Sequence, residues 1–280
     1  MKLIAVVVTY ERHATLERCL QHLADQTRRP DLVVVANNGG PLPDALFPAG
    51  LEVEVLHTGA NLGPGGGFHR GMQLAMQREA DWLWLMDDDI EPAPTCAERL
   101  LAGAPQGEAL LWPAVTTPYE ETAHDTVVPG WWGVMVPAAT VCRFGYPRED
   151  YGWWSEDTEY LSWRLKRFGG VPAVRFEDAQ VFHNHRDRQG ATPGWKLYYQ
   201  VRNATHMRLW LRQSGKPTLV STTGRLGRLV GSQVRRALVS VPEGESRRKR
   251  LRIVARGFAD GVTGNLGLQV RLGDKDVCGR

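Results

Sequence analysis

Apolar residues come in short, dense runs along the first third of the chain, and amphipathic stretches separate them. "LIAVVV" (3–8) is a β-branched run ending at Thr9 and Tyr10. A run of that length without polar alternation predicts a strand buried on both faces. "HATLERCLQHLADQ" (13–26) places Leu16, Leu20 and Leu23 at helical spacing. A second buried strand (31–40) runs into a turn of Asn and Gly, and 51–57 alternates as a third. "NLGPGGG" (61–67) reads as a loop feeding a helix over 68–80, and "DWLWLM" (81–86) as the next strand. A helix over about 94–103 leads to the apolar "ALLWPAV", and 130–141 reads as a later strand. A helix over 155–170 has Ser155 as candidate N-cap and Gly169 as its stop. Residues 171–185 read as a short strand pair and 194–215 as another helix. Alternation of apolar strands with helices predicts an α/β domain, a mostly parallel sheet flanked by helices.

The chain has 280 residues, 42% hydrophobic and 23% charged, enough for one large α/β domain with an appendage. The expected division is a catalytic domain over 1–215, with halves at about 1–105 and 106–215, and a basic helical C-terminal extension over 216–280. Cys19, Cys96, Cys142 and Cys278 are scattered, without a CxxC pair, which points to reduced thiols in a cytoplasmic protein. The apolar start stops after six residues without a cleavage site, so it reads as a first strand and not a leader. No apolar run approaches the roughly 20 residues that span a bilayer. Net charge is +3, yet residues 225–256 hold ten Arg/Lys against Glu243 and Glu245. The rest of the chain is therefore net negative.

Open α/β sheets bind ligands beyond the carboxyl ends of their strands. That rule brings Thr9 and Tyr10, Asn37 and Asn38, and Asp87, Asp88 and Asp89 to one rim. Alternate residues Asp87 and Asp89 can converge on a hard cation such as Mg²⁺ or Mn²⁺, whose shell substrate phosphates complete; the plain alternative is a solvated acidic turn. Gly65, Gly66 and Gly67 can form a phosphate nest with Arg70 nearby, or simply a flexible loop. Glu156 and Asp157, beside Trp153 and Trp154, offer a carboxylate base next to an aromatic sugar platform, or only helix-dipole complements. His183 and His185 follow a strand and can ligate a metal or serve structure. Tyr198 and Arg202 share a helix face, suited to phosphate or to packing.

Taken in order, "VVVTYER", "VVVANNGG", "NLGPGGGFHRG", "LWLMDDDIEP", "GWWGVMV", "WWSEDTEYLSWRLKRFG", "VFH" and "YYQVRN" resemble family 2 of the inverting nucleotide-sugar glycosyltransferases, of GT-A fold. They look closest to its bacterial rhamnosyl- and galactofuranosyltransferase branch. The resemblance implies a UDP- or dTDP-sugar donor held by Thr9, Tyr10, Glu11, Asn37, Asn38, Asn61, Gly65, Gly66, Gly67 and Arg70. Asp88 would reach the donor, and Tyr198 and Arg202 would close on its diphosphate. Asp87, Asp89 and His183 would hold Mg²⁺ or Mn²⁺, with His185 as the competing ligand. Asp157 would be the base that deprotonates a saccharide or lipid-linked acceptor, with Trp132, Trp153, Trp154 and Glu156 on the acceptor side. The family has Asp where Asn37 stands; Asn keeps an acceptor oxygen, loses the charge and adds donors.

Two rival functions stand beside this one. A nucleotidyltransferase or sugar-phosphate pyrophosphorylase places a Gly-rich basic loop after its first strand, where this chain has "TYERHATLERC". A non-catalytic carbohydrate-binding protein would use the tryptophans without needing the aspartates. In the tail, Leu226, Leu229, Val230 and Val234 can share a helix face among arginines. That pattern suits peripheral contact with an anionic membrane, or packing on the domain. Nucleic acid is not the expected partner, because the basic stretch lacks aromatics.

Overall fold

The computed structural model describes residues 1–105, 107–117, 130–184, 192–210, 227–228, 231–235, 238–239, 241–242, 245–271 and 277. Eight strands form one mixed sheet: β1 (Leu3–Thr9), β2 (Leu32–Asn37), β3 (Val53–His57), β4 (Trp82–Asp87), β5 (Ile90–Pro92), β6 (Leu110–Thr116), β7 (Trp132–Pro137) and β8 (Ala173–His183). Their order is β3-β2-β1-β4-β7-β6-β8-β5. The β1–β2, β2–β3, β1–β4 and β6–β8 pairs are parallel, whereas β7 and β5 run antiparallel to their neighbours. The helices are α1 (His13–Ala24), α2 (Gly63–Gln77), α3 (Cys96–Ala102), α4 (Ala138–Phe144), a π-helix over Thr158–Phe168, α5 (Gly194–Trp210) and α6 (Arg247–Thr263).

Strand β1 shows why the sheet is covered on both sides. Leu3, Ala5 and Val7 face a core shared with Leu16, Leu20 and Leu23 of α1. Ile4, Val6 and Val8 face the opposite core, built with Phe68, Met72 and Ala75 of α2 and Leu161 and Leu165 of the π-helix. The period of two along a strand makes this split automatic. A third core joins Leu197, Tyr198 and Val201 of α5 to Ile253 and Val254 of α6. The C-terminal helix is therefore packed into the molecule through α5.

Several local expectations change. The glycine run is the first turn of α2, not a loop. A Cβ on Gly67 would lie 2.5 Å from Val8 Cγ1, and one on Gly71 2.6 Å from Val6 Cγ1. These glycines let α2 lie against β1. The expected strand over 130–141 ends at Pro137, and α4 follows directly. Ser155 is not a cap: it sits at φ 68°, and Asp157 caps the π-helix by accepting from the Thr158 amide. The expected strand pair over 171–185 is one strand with a bulge, since pairing with β6 jumps from Phe176 to Gln180. His185, Cys278 and most of the apolar face proposed for 226–234 lie outside the described residues.

Candidate active site

The parallel register sets the site's base. Thr9 pairs with Asn37 across β1–β2, and Val8 with Asp87 across β1–β4, so three strand ends open on one rim. The chain then turns, and β5 pairs Ile90 with His183 at the end of β8. That pairing brings His183 Nε2 to 3.4 Å from Asp89 Oδ1.

The acidic triplet is partly neutralised by a residue that motif reading assigned no role. Arg12 donates from Nη1 to Asp88 Oδ1 at 2.7 Å and from Nη2 to Asp89 Oδ2 at 2.9 Å. Thr9 Oγ1 donates to the other Asp88 oxygen at 2.7 Å. Asp88 is thus engaged on both sides and fastens the triplet to β1, while it also lines the cavity expected to take the donor. Burial, opposed by Arg12, leaves Asp88 raised to about 7. Burial followed by repulsion from Asp89 and Asp88 raises Asp87. Asp89 is also buried, but His183 and Arg12 hold it low. The signals of Arg12 in the sequence are its place three residues after the strand end and as the last residue of "VVVTYER".

The nucleoside-side residues form a hydrogen-bonded turn. Asn37 is buried; its Oδ1 accepts from the Gly39 amide at 2.8 Å and its Nδ2 donates to Gly40 O at 2.6 Å. An Asp there would lose the second bond, so this Asn builds its own turn. Glu11 accepts from the Gly40 amide at 2.7 Å. Asn38 donates to Gly63 O at 3.0 Å, and Asn61 accepts from the Gly63 amide at 3.1 Å. Asn38, Asn61, Tyr10, the three aspartates, Trp153, Trp195 and Lys196 line one cavity of about 410 Å³. Lys196 Nζ stands 5.0 Å from the Trp153 ring centre and 5.4 Å from that of Trp195. Neither Trp195 nor Lys196 is recognisable from sequence, because the docking of α5 puts them there.

Other expected residues stand elsewhere. Gly65, Gly66 and Gly67 are buried in helix packing and do not form a nest. Arg70 pairs with Glu149 at 2.8 Å. Tyr198 donates to Asp260 Oδ2 at 2.6 Å, and Arg202 is fully buried with its guanidinium given to carbonyl groups. Neither lines the cavity: these bonds engage Tyr198 with Asp260 and Arg202 with the carbonyls of Asp150 and Tyr151, an arrangement different from the expected closure on a diphosphate. Trp132 packs with its ring 5.7 Å from that of His183. Trp153 and Trp154 stack at 5.1 Å.

Asp157 lies at the start of the π-helix, where Oδ1 accepts from Thr158 N at 2.5 Å and from Thr158 Oγ1 at 3.1 Å. A Cβ on Gly130 would sit 3.3 Å from Asp157 Oδ2, so glycine leaves that oxygen room. Burial raises the Asp157 carboxyl, and the bonds from Thr158 restrain the rise. Glu156, expected on the acceptor side, is instead buried with Oε2 making no hydrogen bond. Burial first and Asp157 second push it up to about 8. The folded state retains a proton there that the unfolded chain releases around the ordinary value of 4.5. This stability is complete below the unfolded value and is lost as pH rises through the folded one. Glu156→Gln is expected to melt with wild type near about pH 5 and above it at about pH 8. A series of melting curves across that range checks it; parallel curves would refute it.

Among the described residues, no three His, Cys, Asp or Glu side chains converge closely enough to hold a metal as they stand. The Asp89–His183 pair nevertheless suits one. Adjacent ligands at about 2.1 Å from an octahedral ion stand about 3 Å apart, close to the 3.4 Å seen, and Asp89 Oδ1 is buried without a hydrogen bond. Among the described residues, no helix is long and apolar enough to cross a membrane.

Comparison with known proteins agrees with this architecture. Galactofuranosyltransferase GlfT1 of Mycobacterium tuberculosis is 46% identical over 89 residues, 30% of this chain and 29% of its own length. The N-acetylglucosaminyl-diphospho-decaprenol L-rhamnosyltransferase of the same species is 36% identical over 109 residues, 35% of this chain and 36% of its own length. Each match thus spans well under two thirds of the relative. The fold is shared with the mannosyltransferase PcManGT of Pyrobaculum calidifontis, solved with GDP-Man and Mn²⁺, at TM-score 0.57 and 12% identity over 94% of this chain and 75% of that one. It is shared also with S. aureus TarS, at TM-score 0.53 and 14% identity over 99% of this chain and 46% of that one. Residues 4–167, more than half the chain, match the family described as Glycosyl transferase family 2, and to that family, with its GT-A fold, the chain belongs.

Proposed function

We propose that the protein transfers a sugar, with inversion, from a UDP- or dTDP-sugar to an acceptor hydroxyl. The observation that supports this reading best is the meeting of Asp89 and His183 at 3.4 Å beside the cavity at the strand ends. Asp87 and Asp157 are near enough for their charges to repel. Mg²⁺ or Mn²⁺, held by Asp89 and His183 with Asp87 alongside, would supply Lewis-acid neutralisation of the departing diphosphate. Tyr10, Asn38 and Asn61 border the nucleoside end of the cavity. Asp157 takes the acceptor proton through Oδ2 as the acceptor oxygen attacks the anomeric carbon from the face opposite the leaving group. One displacement inverts the centre. The acceptor is a saccharide or a lipid-linked one, and the exposed Arg247, Arg248, Leu251 and Arg252 of α6 suit peripheral contact with an anionic membrane.

The test is a thermal-shift screen of UDP- and dTDP-sugars with and without Mn²⁺. One donor is expected to raise the melting temperature, and to do so more with metal, because a ligand that binds only the folded state stabilises it. Asp89→Ala is expected to remove the metal-dependent part of donor binding in calorimetry. Metal-independent binding of every donor, or unchanged binding in that variant, would count against the reading.

A further inference from the structure

Arg202 and Asn203 are fully buried polar residues in the middle of α5. Arg202 donates to Tyr151 O at 2.9 Å, Asp150 O at 3.1 Å, Asn203 Oδ1 at 2.8 Å and Gly267 O. Asn203 Nδ2 lies within donating distance of Tyr151 O at 3.0 Å, Trp153 O at 2.9 Å and Trp154 O at 2.7 Å. The main-chain segment they grip would not hold its shape alone. Gly152, Trp154 and Ser155 have φ of 66°, 72° and 68°. A non-glycine residue in that region is sterically strained and persists only where its surroundings fix it. The segment carries Trp153, which lines the same cavity as the aspartates.

The same arginine reaches the C-terminal part of the chain. The Gly267 amide donates to Asp150 O at 2.7 Å, and a Cβ on Gly261 of α6 would lie 2.5 Å from the Arg202 carbonyl oxygen. Contacts therefore run without a break from α6 through Arg202 and Asn203 to the aromatic wall.

We infer that Arg202 and Asn203 are positioning residues, which hold the segment from Gly152 to Ser155, and with it the Trp153 side of the cavity, in its left-handed backbone shape and make that shape depend on the docking of α6. The inference rests on reading the cavity as the nucleotide-sugar site. Neither residue lines that cavity.

The stacked Trp153–Trp154 pair provides a spectroscopic signature, an exciton couplet in circular dichroism, assigned by its loss in Trp154→Phe. Asn203→Ala is expected to lower the couplet to the Trp154→Phe level and to weaken binding of UDP or dTDP with Mn²⁺ about tenfold. Arg202→Lys keeps the charge but loses the planar fork, and is expected to behave alike. Leu100→Ala, a buried change on α3 in the separate core on one face of the sheet, is expected to lower the melting temperature at least as much while keeping couplet and binding. A couplet retained in Asn203→Ala, or lost equally in Leu100→Ala, overturns the inference. Should Arg202→Lys not fold, Asn203→Ala decides. If the wild-type protein binds neither nucleotide, the proposed function fails, and the couplet measurements still decide the role of this pair.

Discussion

Replacing Asp157 by Asn is expected to slow sugar transfer by about 10³-fold, within the range for loss of a general base, and to leave nucleotide affinity within about twofold. An amide at this position still accepts the Thr158 amide bond, now 2.5 Å from Asp157 Oδ1, so the start of the π-helix survives. What the amide cannot do is take up a proton. Release of nucleoside diphosphate from the donor that stabilises the protein, followed with and without acceptor, measures the first quantity, and calorimetry with UDP or dTDP the second. Near-normal transfer would remove Asp157 from the base role. A large loss of nucleotide binding would show that it serves the donor instead.

Arg12→Met is expected to have the largest effect on stability of any single change at the rim. It leaves Asp88 and Asp89, whose side chains are 3% and 7% exposed, without their shared cation. Breaking a fully buried ion pair costs about 3–5 kcal/mol. Because the Arg12 side chain is itself 45% exposed, solvent screens the pair and about 2 kcal/mol is the better expectation. Mn²⁺ should restore part of that loss, since a cation at Asp89 replaces the missing positive charge. Urea denaturation of both proteins with and without Mn²⁺ tests this. Equal stability without metal would mean that the triplet keeps its shape without Arg12; a loss that Mn²⁺ does not reduce would argue against a cation at Asp89.

The strands and most of the helices were readable because each follows from a local period. The β-branched run at 3–8 has one plausible burial, on both faces of a parallel sheet, and Leu16, Leu20 and Leu23 can only make one helix face. The errors fall where a residue has two local uses. Gly65, Gly66 and Gly67 suit a phosphate nest or close helix packing, and the choice was made by the Arg148 carbonyl, Leu62 and Val8, which stand where the three Cβ atoms would go. Ser155 looked like a cap, but it belongs to a left-handed segment held by α5. Tyr198 and Arg202 share a helix face as expected, yet that face turns toward Asp260 and the carbonyls of 150–154 rather than toward the cavity.

The sequence by itself determined the strand cores, the placing of Thr9, Asn37, Asn38 and Asp87 at strand ends, and, through its ordered motifs, the family. These are properties of near neighbours in the chain, set by periodicity and by what a strand end must be. Only the tertiary structure decided that β5 lies against β8, which is how Asp89 meets His183 across 94 positions of sequence, that Arg12 spans Asp88 and Asp89, and that Trp195 and Lys196 line one cavity with the aspartates. Those meetings depend on how whole elements pack, which no local pattern encodes. Charge and burial then set the carboxylates apart: Asp88 is held by Arg12 and Thr9, Glu156 is pushed toward its neutral form, and Asp89 is held low by His183 and Arg12.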